Sequence, residues 1–549
     1  MAEKEKEISS EEIFKEFKEH SIAEFFKKNR QMLGYSGMVR SLVTVVHEYV
    51  TNSLDACEAA NILPDIDVAV TEIGENKYRV RVKDNGPGIP KKFVGKALGT
   101  ILAGTKFHQY VQQRGQQGIG AAGGLLFAQV TTGKPLVVKS SEKSNAYSCK
   151  IAIDTHRNSP IITEMADLSG EFKGLSVEGE FADVKYEKSE HGIYEYLKRT
   201  ALSNPHCQIK FTDPEGKENV FLRAVNTMPQ KPMPTLPHPL GLAINDLLEF
   251  AHASQSRKIS SFFVDTFART TSNKVAELRE IAKSIDFDKP PRALTWTDAE
   301  ELIKAIRAVK WIAPDATSII PIGEAQVKIA LKNILDPEFM NVVERKPRVF
   351  RGGIPFVVEA AVAYGGKAGY QTDEGSAGAI LRFANRVPLL FDTGNCAITE
   401  AVKTIEWKRY NIDMETQPIS VFVNLSSVHV PYSGVGKEAI SKEDEIIEEI
   451  RLAVMEAARG VQQFIKGKQH ATFEAGRYKT TMRYAKQLAK DLGELTGANE
   501  KELFDSLDKI VTKHYPHLKK QDEEENARSA TGDGGRGGEG KGEVEEVAE

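Results

Sequence analysis

Cysteine is scarce. The four in 549 residues, Cys57, Cys149, Cys207 and Cys396, stand far apart and form no CxxC pair, so neither a zinc cluster nor a disulfide framework is expected. A reducing, intracellular compartment fits that usage. Long apolar runs are missing as well. No stretch approaches about 18 uncharged apolar residues, and the chain opens on mixed charge, Met1-Ala-Glu-Lys-Glu-Lys, so neither membrane insertion nor export is expected. There is no strong charge of either sign: 73 Lys and Arg against 77 Asp and Glu leave a net charge of -4. Any nucleic acid must therefore be met by a local basic surface. The order Gly-x-x-x-x-Gly-Lys-Ser/Thr does not occur, which disfavours a P-loop fold.

What is present is a long chain with 41% hydrophobic residues, enough for roughly three domains. Residues 8–33 read as one or two amphipathic helices, with Ile13, Phe14, Phe17, Ile22, Phe25 and Phe26 at helical spacing. A helix over 38–60 precedes two alternating strands, 67–73 and 78–83, joined by the turn Gly74-Glu75-Asn76-Lys77. A glycine-rich stretch over 99–124 and strands at 136–140 and 147–153 complete what reads as an α+β sandwich. Pro229, Pro232, Pro234, Pro237 and Pro239 then mark a domain boundary.

Four short helical patterns follow, at 242–254, 256–267, 271–284 and 297–309, and predict an all-helical module. From 318 to 440 the pattern is mixed again, with strands expected at 326–332, 354–363, 379–385 and 419–425 and a helix at 398–407. Residues 443–495 read as one long helix without proline, although Gly460, Gly467 and Gly476 each weaken it by roughly 1 kcal/mol. The charged, glycine-rich residues 519–549 have little to bury and are expected to be disordered.

Three elements carry candidate chemistry. Glu48, Asn52 and Asp55, at i, i+4 and i+7, share one helix face, and a carboxylate beside a carboxamide can activate a water and ligate a divalent ion. Asp84-Asn85-Gly86-Pro87-Gly88-Ile89 ends an alternating strand. Its carboxylate can accept from an exocyclic amine, while Gly86 and Gly88 let backbone approach a planar base. Gly104-Thr105-Lys106 and Arg114-Gly115-Gln116-Gln117-Gly118-Ile119-Gly120, leading through Gly123-Gly124 into a helix, can cradle phosphates, with Lys106 as a point charge. Each element alone is also ordinary structure: a solvated helix face, a turn, a flexible loop.

In this order and spacing the three resemble the GHKL ATPases, a superfamily that includes type II topoisomerase ATPase subunits, MutL mismatch-repair proteins, ninety-kilodalton heat-shock chaperones and histidine kinases. The resemblance implies a Bergerat-type ATPase α/β sandwich that takes ATP and Mg2+. By it Glu48 polarises the attacking water, Asn52 ligates Mg2+, Asp84 reads adenine and the 115–124 segment forms the ATP lid. The family's later adenine contact, a Gly-Thr pair, falls here on Gly174-Leu175-Ser176-Val177, where Leu175 offers no hydroxyl and Ser176 or a water would substitute.

Arg114-Gly-Gln-Gln-Gly-Ile-Gly120 and Thr131-Thr-Gly-Lys-Pro135 are similar to the B subunits of type IIB topoisomerases, the topoisomerase VI family, over residues 20–515. So is His429-Val-Pro-Tyr-Ser-Gly-Val-Gly-Lys437, which matches that family's switch-lysine loop, where Lys437 touches the γ-phosphate. The implied organisation is an ATPase domain with an N-terminal arm (1–228), a helix-two-turn-helix module (229–310), an α+β transducer domain with a long C-terminal helix (311–470), an A-subunit docking region (471–518) and the tail (519–549). The resemblance also implies self-dimerisation on ATP binding, duplex DNA as substrate, and an A2B2 heterotetramer whose A subunit carries the cutting tyrosine. A cytoplasmic, nucleoid-associated archaeal protein is the corresponding location.

Asp65-Ile66-Asp67 is the one tempting acidic pair for strand cleavage, and it reads more simply as a turn. Arg477, Lys479, Arg483, Lys486 and Lys490 fit either a DNA-facing or a solvated surface. A chaperone-like clamp acting on protein clients is the main alternative function. A histidine kinase would need a phospho-accepting histidine before Glu48, where only His20 is a candidate.

Overall fold

The computed structural model describes residues 30, 34–101, 110–115, 120–142, 145–155, 157–372, 375–434 and 436–514. Of the expected leading helices, residues 8–29 and 31–33 lie outside the described residues, as does the expected tail at 519–549. So do the site candidates Thr105, Lys106, Gln116, Gln117, Gly118 and Ile119. The chain divides into two compact units, Met1–Val461 and Gln462–Glu549.

Helix α1 (Met38–Ala59) forms because Leu42, Val45, Val46, Tyr49, Val50 and Leu54 recur at helical spacing and are all buried. Strands β1 (Asp65–Gly74) and β2 (Lys77–Asp84) pair across a two-residue turn in which Asn76 takes a left-handed φ of 52°. On β2 the residues Tyr78, Val80, Val82 and Asp84 all face inward. The apolar stripe thus ends on a buried carboxylate. Next come α2 (Lys91–Gly99), α3 (Gly120–Thr132), β3 (Leu136–Glu142), β4 (Asn145–Asp154), β5 (Ser159–Asp167), β6 (Leu175–Ala182), α4 (Ile193–Ser203), β7 (Gln208–Thr212) and β8 (Glu218–Phe221).

The eight strands form one sheet in the order β5-β4-β3-β6-β2-β1-β7-β8, parallel only between β1 and β7. Leu42, Val46 and Val50 of α1 and Leu125, Leu126 and Phe127 of α3 share one core with Val68, Val80, Val138, Ile151 and Val177 of the sheet. This makes the two-layer sandwich.

Past the prolines, α5 (Ile244–Ala253), α6 (Ile259–Thr266), α7 (Ser272–Ile281) and α8 (Trp296–Ala308) fall within the four expected windows but for Trp296 at the start of α8, and enclose Phe262, Phe263, Phe267, Phe287 and Leu302. Thr295 and Asp298 form a reciprocal cap on α8. A second α+β layer begins with α9 (Glu324–Leu335). It continues through β9 (Phe339–Glu344), β10 (Arg348–Phe350), β11 (Ile354–Tyr364), the small hairpin β12 (Tyr370–Thr372) and β13 (Gly375–Ala377), β14 (Ala379–Ala384), β15 (Val387–Pro388), α10 (Ala397–Lys403) and β16 (Ile419–Ser427). Parallel β14 and β16 are connected through α10, as a parallel pair requires a crossover.

Helix α11 (Asp444–Thr496) runs for 53 residues, and the division between the two units falls within it. Its glycines do not interrupt it. Gly460 lets Asn341 of β9 approach, so that Asn341 Nδ2 donates to the Ala457 carbonyl at 3.2 Å. In the second unit, which ends with α12 (Glu500–His514), the Arg477 and Arg483 guanidinium groups lie 5.9 Å from the rings of Phe473 and Tyr484.

Two expectations need correction. The alternation of Val327, Ile329 and Leu331 suggests a strand over 326–332, but these residues lie in α9. There Val327, Ala330, Leu331 and Leu335 are buried at helical spacing and Ile329 is 42% exposed. The buried Glu359 carboxylate starts that helix by accepting from the Ile322 and Gly323 amides at 3.0 and 2.7 Å, which an anion at a helix N-terminus favours. The helix expected at 398–407 ends at Lys403, where the Trp407 indole folds back to donate to the Val402 carbonyl at 3.1 Å.

The helical assignment has a measurable signature. Leu331→Ala is expected to destabilise by about 2–5 kcal/mol, whereas Ile329→Ala stays within about 0.5 kcal/mol. Equal losses in urea denaturation would return the segment to a strand with both side chains on one face.

Candidate active site

Asp84 is 3% exposed and accepts three hydrogen bonds. Its Oδ2 accepts from the Ser53 hydroxyl at 2.7 Å, and its Oδ1 accepts from the amides of Gly86 at 2.9 Å and Leu175 at 3.1 Å. Burial pushes this carboxyl above its ordinary value, while the three donors pull it back. Leu175 therefore contributes its backbone N–H at this position, and its side chain is irrelevant to the contact. Ser176 is buried in the ladder between Lys83 and Lys139.

The loop after Asp84 is tied to β3 and β4. Ser140 Oγ accepts from the Ile89 amide at 2.7 Å and Tyr147 donates to the Ile89 carbonyl at 2.7 Å. Gly88, with φ of 71°, lies so close to Ser140 and Ser141 that a Cβ there would overlap the Ser141 carbonyl.

Glu48 and Asn52 lie one turn apart on α1, half-buried and exposed respectively. Helix α3 begins directly against Glu48: a Cβ on Gly120 would overlap its Oε2, and one on Gly124 would press on Tyr49. Tyr49 in turn donates to the Ala121 carbonyl at 3.2 Å, fixing the start of α3 on α1. Gly115 has open space around it. The structure thus brings Glu48, Asn52 and Gly120 together. Asp55, expected on the same face, is paired with Arg114 at 2.8 Å.

Lys437 reaches this place from the other α+β layer. It is a non-glycine residue with φ of 53°, and its ammonium donates to the Arg114 carbonyl at 3.4 Å. Burial lowers its pKa from the ordinary 10.5, opposed by the fields of Glu48 and Asp55. The same loop is held to α1 by an ion pair between Arg40 and Glu438. Arg40 also meets Asp392 at 3.3 Å and sits 5.2 Å from the Phe391 ring.

No group of three or more His, Cys, Asp or Glu side chains could hold a metal among the described residues. Mg2+ commonly binds through one or two protein oxygens together with substrate phosphates, and the exposed Asn52 carboxamide beside Glu48 fits that donor set. ATP fits as well: a buried carboxylate with backbone closely packed around it at one end, and a glycine-started helix N-terminus at the other. Asp65 and Asp67 do not form a metal pair, since Arg223 holds the former at 2.6 Å and Arg81 the latter at 3.2 Å.

Sequence reading missed Ser53, the Leu175 amide, Ser140 and the Arg114 side chain. A helical repeat of Ile193, Tyr196, Leu197, Thr200 and Ala201 was also present to reveal α4, which ends beside Asn204, an Arg114 partner at 2.6 Å.

Two outcomes follow from these environments. Asp84→Asn replaces an acceptor with a group that also donates, and should weaken ATP binding by roughly 10²-fold or more in calorimetry. Lys437 is protonated more firmly in the unfolded chain than in the folded one, so its share of stability grows as pH rises from its folded pKa toward 10.5. If Lys437 meets a phosphate it does so as the ammonium, and wild-type kcat/KM should then fall on the alkaline side below that value. Lys437→Arg, which stays charged, should lose this limb; superimposable profiles would remove Lys437 from the site.

Comparison with known proteins agrees with this arrangement. Residues 37–147 match the family described as histidine kinase-, DNA gyrase B- and HSP90-like ATPase, and residues 314–477 match the topoisomerase VI B subunit transducer. The type 2 DNA topoisomerase 6 B subunit of Methanothermobacter thermautotrophicus is 43% identical, over 90% of this chain and 95% of its own. The protein of that name from Pyrococcus horikoshii is 41% identical over 91% and 96%, and that from Thermococcus gammatolerans 39% over 94% and 99%. With both layers matched and nine-tenths of the length aligned, the chain belongs to the family of type 2 DNA topoisomerase 6 B subunits.

Proposed function

We infer that this chain is the ATP-hydrolysing subunit of a type IIB DNA topoisomerase. The observation that carries the reading is the delivery of Lys437, from the second α+β layer, to the face of α1 that bears Glu48. A buried ammonium in the fields of Glu48 and Asp55 suits an ATP-responsive coupling between the two layers.

In this reading Asp84 accepts from the adenine amine, and its own orientation is set by Ser53, Gly86 and Leu175. Thr105, Lys106 and the 115–120 segment cover the phosphates, with Gln116, Gln117, Gly118 and Ile119 supplying backbone donors. Mg2+, held by Asn52, would neutralise phosphate charge. Glu48 takes the proton of a water as its oxygen bonds to the γ-phosphorus and the bond to ADP breaks. Lys437 pairs with the γ-phosphate and loses that partner when phosphate leaves, so the second layer senses which nucleotide is bound. The catalytic contribution is positioning and charge neutralisation.

Nucleotide binding drives two such chains to dimerise over a DNA duplex. The transducer layer passes that closure to a partner A subunit, which carries the cutting tyrosine and docks through the distal part of α11 and the segment to 517. Two copies of each subunit form an A2B2 assembly that relaxes and decatenates DNA, in the cytoplasm at the nucleoid. The corresponding domain limits are 1–228, 229–310, 311–470 and 471–518. Among the described residues no helix is long and apolar enough to cross a membrane. A clamp for protein clients would need neither DNA nor a cutting partner, and family membership speaks against it.

Glu48→Ala should retain ATP binding and ATP-dependent dimerisation while turnover drops about 10²- to 10⁴-fold. Wild-type protein mixed with an A subunit should pass one duplex through another only with ATP. Unchanged ATPase activity in the variant, or strand passage without the A subunit, would overturn this assignment.

A further inference from the structure

The residues just before the glycine-rich segment form a strap stitched to three parts of the molecule. Gln112 exchanges hydrogen bonds with the backbone of Ile320, donating at 3.0 Å and accepting at 2.6 Å. The Gln113 carbonyl accepts from Asn385 at 3.2 Å. Arg114, 6% exposed, then turns its side chain to the end of α1. Nη1 donates to Asp55 and Glu58 at 2.8 Å each, and Nη2 to Glu58 and Asn204 at 2.6 Å each. Glu58 also meets His206 at 2.8 Å, and Asn204 passes a hydrogen bond to the Arg386 carbonyl at 3.1 Å.

The two ends of Arg114 therefore do different things. Its guanidinium grips the helix that carries Glu48 and Asn52, through a fork that lysine cannot reproduce. Its carbonyl receives Lys437. At 3.4 Å between a charged donor and a neutral acceptor, that bond is weak beside the one an ammonium makes to phosphate. A cavity of 240 Å³ bounded in part by Gln113, Arg114, Pro232 and Arg386 lies alongside, so the strap has room to move if the grip is lost.

We propose that Arg114 is a positioning residue for ATP hydrolysis: its ion pair with Glu58 and Asp55 fixes the entrance of the ATP lid to the nucleotide helix, and its carbonyl sets the position from which Lys437 transfers to the γ-phosphate. Lid position and lysine position are then one variable. Arg114 does not touch the adenine end, so it acts on the terminal phosphate and on turnover and leaves ADP binding alone.

The inference rests on the reading of Lys437 given above, and the test separates the two. In the full-length chain, Arg114→Lys should keep ADP affinity and lower both kcat and the preference for a non-hydrolysable ATP analogue over ADP by about tenfold or more. Lys437→Met should produce the same pattern, and the double variant should be no worse than Lys437→Met alone, because the two residues act as a unit. Asp55→Asn, which loosens the grip while leaving the Glu58 fork, should give a smaller change of the same kind, and serves if Arg114→Lys does not fold. Additive losses in the double variant, or equal loss of ADP and analogue binding, would overturn the role of Arg114. If Lys437→Met turns over ATP like the wild type, both that reading and this inference fall.

Discussion

The buried ion pair between Arg114 and Glu58 holds the strap, the end of α1 and the residue after α4 in one arrangement, and Asn204 carries that arrangement on to the Arg386 carbonyl of the second layer. Its guanidinium is enclosed by the end of α1, by Asp55 and by Asn204 beyond α4, and it leaves only Nε without a partner among the described residues. Taking one member of such a pair away leaves a charge in a dry place, at roughly 3–5 kcal/mol. The pair is therefore weak evidence for net stability but strong evidence for a single arrangement, because any slippage of α1, α4 or the strap strands a charge. Arg386, pushed below its ordinary pKa by burial and held partly by the field of Glu58, extends the same constraint into the second sheet.

On another face of the same part of α1, at Ser53, the logic is that of a strand. Alternation on β2 puts Tyr78, Val80 and Val82 into the core, and the next inward position is Asp84. A carboxylate there has to be satisfied, and the donors come from three separate places: Ser53 on α1, Gly86 in its own loop and Leu175 at the start of β6. The folding of the sandwich and the orientation of the Asp84 carboxylate are thus the same event. Nothing further has to move to make Asp84 an oriented acceptor.

How much of this is legible in the sequence follows from how local each feature is. The run from Met38, the β1–β2 hairpin and the four helices of the middle module can be read from periodicity, because each buries a regular stripe. Residues 326–332 cannot, since three alternating aliphatics fit either period and the cap that decides for a helix comes from Glu359, 37 residues beyond the Ile322 amide it receives and in a different strand. In the site, Glu48, Asn52 and Asp84 stand out as polar residues set in apolar patterns. The Arg114 side chain does not, because its partners Glu58 and Asn204 lie 56 and 90 residues away in sequence, and glycine-rich wording draws attention to the backbone beside it. Asp55 keeps the helix face that periodicity assigns it, and only the cation that meets it is illegible locally.

The backbone of Lys437 adds a different consideration. A φ of 53° is ordinary for glycine and unfavourable for a residue with a side chain, by roughly 1 kcal/mol, and Gly434 and Gly436 stand close by. Local conformational preference and chemistry pull in opposite directions at this position. An improved loop, by the standards of thermal stability, would put glycine or asparagine there and would have no ammonium to offer. Selection for a tougher protein and selection for a buried ammonium would therefore part company at a single residue, and a variant recovered for heat resistance at this position would be one that has given up its charge beside Glu48.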